Sequence, residues 1–491
     1  MNKESLITSS VEKLCSLAET LVTPDRVAEA VEIPYDPDKC SAKSAAAMLG
    51  ISIPMLSTAC GYPVLEIGGM TSIWVGTHYE PISEGQKKKV VQAFAKGAGL
   101  LRPNILTSDF KREFDKSFSS YGKPDVVFPK PNGGVQGIVF LDGVLSFQGS
   151  RHRFVDGHRP EDLSTYCIPT KYYAKSKCEK WEKFLSEAIP NEDSRRYVLA
   201  SFANALAGDP MKAQKILLLI GAAGAGKSTL IEAIAGCIGH HNVMRTDNLA
   251  QITRDDSRHR MRLAHATLCV SADASENIGD KDALKMIVSK EPIIARKLYA
   301  EPLEITPRAS LVVASNEMGL SYVLSDPGVA RRFDIVSFRK AKDEKKRDSG
   351  LIYALSTDDA RGGIGMSLAT ALIEHLNAHD GMLLRPAILE QELERLKVEG
   401  DPFMSWMEAC GLSCNENDHN LVEVHQDAAM ESFRTYCLSN GYNSWAMRKF
   451  KGRLRALNLE EKGRHGGKHS FMFYCRDLNL ARASRVISMV P

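Results

Sequence analysis

The junction at Lys215-Ile216-Leu217-Leu218-Leu219-Ile220 and Gly221-Ala222-Ala223-Gly224-Ala225-Gly226-Lys227-Ser228 constrains this chain more than any other stretch. A continuous apolar run without polar alternation is expected of a strand buried on both faces, which places it inside a parallel sheet. The small residues after it let backbone N–H groups turn inward around an anion. Ser228-Thr229-Leu230-Ile231-Glu232-Ala233-Ile234 then continues as a helix whose N-terminus adds positive potential. Strand, glycine loop and helix in this order are the context that a phosphate-binding loop requires. ATP is the expected cofactor, held by Gly221, Ala222, Ala223, Gly224, Ala225, Gly226, Lys227, Ser228 and Thr229. Lys227 is expected on the β- and γ-phosphates and the Ser228 hydroxyl on Mg²⁺.

Such a site also needs an acid from a neighbouring strand. Ala266 to Val270 reads as an apolar strand that runs through Ser271 and Ala272 to Asp273, and Glu276 follows three residues on. A carboxylate there holds the Mg²⁺ shell and orients the attacking water. Asp273 is the first choice and Glu276 the second. Asp255-Asp256 is a rival pair, set among Arg254, Ser257 and Arg258 in a loop-like stretch. A third strand, Ala309 to Ser315, ends at Asn316, an amide suited to sensing the γ-phosphate. Arg331-Arg332 precede a final strand, Ile335 to Phe338, as an arginine finger for a neighbour's ATP would. Either arginine alone is equally compatible with a surface salt bridge. Strands and helices alternate from 210 to 340, so the expected fold is α/β with a parallel sheet.

At 491 residues the chain is expected to hold several domains. The net charge of +3 gives no global field for a polyanionic partner, so local charge has to carry any such role. The eleven cysteines form no CxxC pair, which suggests reduced thiols in a cytoplasm. Cys410, Cys414, His419 and His425 fit a structural zinc module poorly. The N-terminus has no signal-peptide pattern, and no run approaches the ~18 apolar residues of a membrane span. Residues 1–65 read as helical, with a break at Pro24-Asp25. Residues 70–150 carry short β-like pieces, with a tight turn expected at Asp142-Gly143. Residues 178–207 read as two helices joined around Pro190. The expected division is a helical extension over 1–65, a collar-like module over 66–195, the ATPase core over 196–345, a helical lid over 346–400 and a last domain over 401–491.

These residues resemble the superfamily 3 helicases, the AAA+ group of small DNA viruses, phages and plasmids. The likeness is nearest to the phage/plasmid replication helicases related to the poxvirus primase-helicase. The core from Lys227 to Arg332 spans only about 105 residues, as in that group. Glu291-Pro292-Ile293-Ile294-Ala295-Arg296-Lys297-Leu298-Tyr299-Ala300-Glu301-Pro302 is similar to the family's Asp-Pro-Ile and Leu-Tyr-x-x-Pro segments. Asn316 and Arg331-Arg332 stand where the family has its strand-terminal Asn and its paired arginines. Upstream, Gly76-Thr77-His78-Tyr79-Glu80, Leu141-Asp142-Gly143-Val144-Leu145 and Trp181-Glu182-Lys183-Phe184-Leu185 look like the module that precedes the ATPase. Two departures stand out. The family usually has Glu at the position of Asp273, and the ~65 residues upstream are too few for a primase polymerase domain.

The resemblance implies a ring, expected to be a homohexamer, that translocates on single-stranded DNA. In it a hairpin with its turn near Tyr299 projects into the channel, with Arg296 and Lys297 on phosphates and Tyr299 stacking on a base. Arg332 is preferred over Arg331 as the finger because it directly precedes Phe333. The C-terminal stretch from 441 to 491 holds 11 Lys or Arg against 3 Asp or Glu, a net of +8. A basic amphipathic helix over 444–455 and a basic turn before the strand Ser470 to Cys475 form a winged-helix pattern. Arg448, Lys449, Lys451, Arg453, Arg464 and Lys468 are its candidate DNA contacts. The expected activity is ATP-driven helicase action that initiates replication of a phage, plasmid or other mobile element in a bacterial cytoplasm. A separate primase or host replication proteins are candidate partners, and no membrane role is expected. DNA remodelling without processive unwinding, and translocation on RNA, are the alternatives.

Overall fold

The computed structural model describes residues 3–100, 107–123, 127, 136–149, 151–172, 176–254, 259–271, 278–296, 302–315, 326–339, 348, 350–399, 402–413, 420–439, 445–456, 461–465 and 468–475. The chain forms two compact units. One joins Met1–Glu317 to Arg331–Glu390, and the other joins Met318–Ala330 to Gln391–Pro491.

The first unit opens with helices Lys3–Leu21, Pro24–Val31 and Ala42–Ala59. The break expected at Pro24-Asp25 is a helix start. Pro24 occupies the first turn, and the Thr23 hydroxyl accepts from the Arg26 N–H at 3.3 Å. A meander of β1 (Val64–Ile67), β2 (Met70–Trp74) and β3 (Tyr79–Pro81) follows. The β-like reading of 70–150 misses two helices, Glu84–Gly97 and Ser108–Tyr121. The first carries a Ser83/Gln86 capping box, and the second buries Phe110, Phe114 and Phe118 at helical spacing. Both share one apolar core with Leu14, Leu49 and Phe94.

A second antiparallel sheet contains β4 (Gly137–Phe140), β5 (Gly143–Gln148) and β6 (Arg151–Asp156). Its first turn is displaced by one residue from the expected Asp142-Gly143. Phe140 pairs with Gly143, so Leu141 and Asp142 make the turn. Gly143 serves close approach: a Cβ there would lie 2.2 Å from the Val155 carbonyl on β6. Helices Glu179–Ala188 and Glu192–Leu206 meet as expected, and Asn191 caps the second by accepting from Ser194 N at 2.8 Å.

The central sheet has five parallel strands: β7 (Ile216–Ile220), β8 (Val243–Thr246), β9 (Leu268–Ser271), β12 (Ser310–Ser315) and β13 (Phe333–Ser337). Between β9 and β12 lies the antiparallel hairpin of β10 (Ile293–Ala295) and β11 (Leu303–Ile305). The order across the sheet is β13-β7-β12-β9-β8. From β7 the chain crosses to β8 at the far edge, returns through β9 and β12, then passes β7 to place β13 at the other edge. Crossovers therefore diverge at the carboxyl ends of β7 and β12, which is where an open α/β sheet leaves a ligand crevice. The fold of this unit is mixed α/β. Every residue of β7 is buried, as its unbroken apolar run requires.

The second unit holds helices Pro402–Ala409, Gln426–Ser439 and Met447–Ala456 with β14 (Leu412–Ser413), β15 (Asn420–His425), β16 (Glu461–His465) and β17 (Lys468–Cys475). β17 is the hub and pairs antiparallel with the other three. Phe403, Trp406, Phe433 and Phe450 form its aromatic core, with ring centroids 5.2–5.9 Å apart. The basic helix read over 444–455 runs from Met447 to Ala456. Phe450 and Leu454 are fully buried on one face, while Arg448 is exposed. Among the described residues, no helix is long and apolar enough to cross a membrane.

Candidate active site

The glycine loop leaves β7 at the carboxyl edge of the sheet. Ile220 is level with Ser315 on β12 and Ser337 on β13. The Gly221 N–H donates to the Ser315 carbonyl at 3.3 Å, and the Phe338 N–H donates to the Ile220 carbonyl at 2.6 Å. Gly224 and Gly226 adopt φ of 78° and 107°, left-handed backbone that reverses the chain into the helix Lys227–Ile238. A Cβ on Gly226 would sit 2.9 Å from the Phe184 ring, so helix Glu179–Ala188 backs the loop directly. Lys227 is the first residue of its helix and is buried. Its ammonium donates to the Gly221 carbonyl and, at 3.1 Å, to the Ala222 carbonyl. Ala222, Ala225 and Thr229 are half-buried, while Ala223, Gly224 and Ser228 are exposed. The loop thus presents small residues and a hydroxyl at the N-terminus of a 12-residue helix, with a lysine ammonium at its centre. That donor set fits the phosphates of a nucleotide and a Mg²⁺ ligand at Ser228. The aromatic support from Phe184 and Phe338 was not read in the sequence.

Asp273, Glu276, Asn316 and the rival pair Asp255-Asp256 lie outside the described residues. The strands leading to the first three are described. β9 and β12 run parallel to each other with Ser271 opposite Val313, and β12 runs parallel to β7. Both therefore end on the loop's edge of the sheet.

Arg332 lies at the other edge. The Ile216 N–H donates to the Arg332 carbonyl at 2.7 Å, so the five residues of β7 separate Arg332 from Gly221. At ~3.3 Å per residue this is roughly 16 Å. The Arg332 guanidinium is half-buried and donates through Nη2 to Ser289 Oγ at 3.2 Å. Arg331 is exposed, and its carbonyl accepts from Lys215 Nζ at 2.8 Å.

Beside Arg332 is a buried ionic cluster that no sequence pattern indicated. Asp334, only 1% exposed, accepts from the Tyr197 hydroxyl and faces Lys215 at 3.6 Å and Arg385 at 3.4 Å. Burial raises the Asp334 carboxyl above its ordinary value, against the two cations and the Tyr197 hydrogen bond, which lower it. Burial likewise lowers Lys215, and burial followed by the Asp334 charge pushes the Tyr197 phenol well up. The cluster joins helix Glu192–Leu206, the start of β7, β13 and the chain after helix Asp358–Ala378.

Of the expected DNA contacts on the hairpin, Arg296 is exposed one residue past β10, and Lys297 and Tyr299 lie outside the described residues. The root of β10 is fixed by Arg260, 3% exposed, which donates to the carbonyls of Ile252 at 3.0 Å, Ile294 at 3.1 Å and Thr253. In the second unit Arg448 is exposed and Lys451 and Arg453 are half-buried on one helix. Lys449 belongs to the same helix, Arg464 to β16 and Lys468 to β17. Cys414 and His419 lie outside the described residues, among which no group of three or more His, Cys, Asp or Glu gathers to hold a metal.

With this geometry in place, the chain can be set beside known proteins. Comparison with curated proteins gives no match. Solved structures similar to this chain include two apo forms of the NrS-1 C-terminal region. Both are 12% identical; one covers 86% of this chain and 98% of its own at a TM-score of 0.41, the other 86% and 99% at 0.43. A third, of residues 305–718 of that region, is 12% identical with a TM-score of 0.42, covering 87% and 99%. Residues 66–190 match a family described as D5 N terminal like, and residues 219–332 match a family of unknown function, DUF5906. The chain therefore carries a D5 N-terminal-like segment followed by a DUF5906 segment that runs from the phosphate loop to Arg332.

Proposed function

We propose that this protein is an ATP-dependent DNA helicase of a phage-type or plasmid-type replication system, working as a homo-oligomeric ring. One observation carries the reading. Lys227 and Arg332 sit at opposite ends of β7, so a chain that uses both on ATP has to use them on two different ATP molecules. Head-to-tail assembly supplies that arrangement and closes into a ring, for which a hexamer is the proposal. The D5 N-terminal-like match supports the replication setting.

In this mechanism the loop N–H groups and the Lys227 ammonium bind the β- and γ-phosphates, and Ser228 with Asp273 holds the metal. Mg²⁺, when bound, neutralises charge on the phosphate oxygens. Asp273 or Glu276 orients the attacking water, and Asn316 senses the γ-phosphate. Arg332 from the adjacent subunit stabilises the charge that develops in the transition state. Arg296, Lys297 and Tyr299 on the hairpin grip single-stranded DNA in the channel. Arg448, Lys449, Lys451, Arg453, Arg464 and Lys468 in a winged-helix-like second unit bind duplex DNA at an origin. A cytoplasmic setting in a bacterial host and recruitment of a separate primase belong to the same proposal.

Strand displacement on forked DNA and forked RNA tests it. ATP-dependent displacement of DNA by the wild type, abolished in Lys227→Ala with DNA binding retained, is the expected result. Hydrolysis without displacement would favour a remodelling ATPase, and displacement of RNA alone would favour an RNA translocase. Normal ATP hydrolysis in Lys227→Ala would remove the site assignment.

A further inference from the structure

We infer that Ser289 is the positioning residue for Arg332, fixing the guanidinium for the neighbouring subunit's nucleotide. The inference rests on the trans arrangement proposed above and adds the residue that makes it effective. Arginine carries a long side chain with many rotamers, and a finger that wanders has to be ordered at each turnover. Here one arm is held, because Nη2 donates to Ser289 Oγ at 3.2 Å. A guanidinium has five N–H donors, so this bond leaves the remaining arms for a phosphate.

Ser289 is itself a fixed point. It is the C-cap of helix Lys281–Val288, and its N–H donates to the Lys285 carbonyl at 3.0 Å. The next residue, Lys290, closes the helix in left-handed conformation at φ 58°. Its ammonium reaches across to the chain entering β12, donating to the carbonyls of Arg308 at 2.8 Å and Ala309 at 2.5 Å. The Arg308 and Ala309 N–H groups are in turn bonded to the Leu263 carbonyl. The Ser289 hydroxyl is thus anchored to two strands' worth of backbone. On the other side, Arg332 is pinned through its carbonyl to Ile216, and Asp334 two residues on is locked by Tyr197, Lys215 and Arg385. A guanidinium held between two anchored segments is preorganised for a transition state.

The test is steady-state ATP hydrolysis by the assembled full-length protein carrying Ser289→Ala, Ser289→Thr or Arg332→Ala, with thermal unfolding as the check on folding. Ser289→Ala is expected to lower kcat about tenfold with KM for ATP unchanged, because the interaction is made in the transition state. Ser289→Thr, which keeps the hydroxyl, is expected to restore the rate. Mixing Ser289→Ala with Lys227→Ala subunits is expected to raise activity severalfold above Ser289→Ala alone, since a Ser289→Ala loop then meets a correctly held Arg332. Wild-type kcat in Ser289→Ala alongside an inactive Arg332→Ala would overturn this inference and leave the trans reading intact. A loss that mixing does not relieve would also overturn it, by placing the Ser289 effect within its own chain. An active Arg332→Ala would overturn the trans reading beneath it.

Discussion

Arg332 is joined to Ile216 by a 2.7 Å backbone hydrogen bond at the end of β7 opposite Gly221. A residue tied there is separated from its own phosphate loop by the length of a buried strand. The consequence is a division of labour: each chain carries a phosphate cradle at one edge of its sheet and a candidate finger at the other.

The cradle depends on Gly226. Alanine there meets left-handed backbone at φ 107° and the Phe184 ring at 2.9 Å. Gly226→Ala is expected to cost about 1–3 kcal/mol of stability and to abolish nucleotide binding. Urea unfolding and titration with a fluorescent ATP analogue check both, and wild-type behaviour in each would contradict the loop geometry.

The Asp334 cluster should be a structural keystone without a role in chemistry. Asp334→Ala leaves Lys215 and Arg385 facing each other in a buried site, and removal of one partner from such a cluster costs about 3–5 kcal/mol. Asp334→Asn, which keeps a hydrogen-bond acceptor for Tyr197, is expected to cost less. Equal midpoints for all three proteins in urea would refute the account.

Lys290 gives a pH signature. Burial pushes its ammonium down to about 8, from an ordinary value of about 10.4. Between these values the unfolded chain holds a proton that the folded chain has released, so this group makes stability rise with pH across that window. Lys290→Met lacks the rise. The stability of wild type relative to Lys290→Met is therefore expected to grow between pH 8 and pH 10. A difference that stays constant in unfolding experiments would show that Lys290 titrates normally.

Arg448 is exposed on the basic helix and Lys451 is half-buried beside it. If they meet phosphates, the double variant Arg448→Ala/Lys451→Ala should weaken duplex binding and reduce the slope of log affinity against log salt by about 2. Fluorescence anisotropy at several salt concentrations measures this, and an unchanged slope would exclude the pair from the interface.

Much of the fold was legible because its signals are local. The apolar run at Ile216–Ile220, the glycines after it and the alternation to Ser337 suffice for a parallel sheet with the loop at its carboxyl edge. The helices at Glu84–Gly97 and Ser108–Tyr121 were equally local and were passed over. Their cap at Ser83 and the Phe110-Phe114-Phe118 spacing lay within a stretch judged by its short β-like pieces. The turn at Leu141-Asp142 was misplaced because Gly143 reads as a left-handed turn residue when it is a close-approach residue. Other relationships are non-local and have no sequence signature. Ser289 and Arg332 are 43 residues apart, and the Tyr197–Asp334 pair is 137 apart. Only the crossing of β13 past β7 brings such groups together.

The most direct measurement is ATP hydrolysis by mixtures of Lys227→Ala and Arg332→Ala subunits, each inactive alone. In a head-to-tail ring an equal mixture pairs an intact loop with an intact finger at about a quarter of its interfaces, so about a quarter of wild-type activity is expected to appear on mixing. A mixture that stays at the background of its separate components would contradict a site completed by the neighbouring chain.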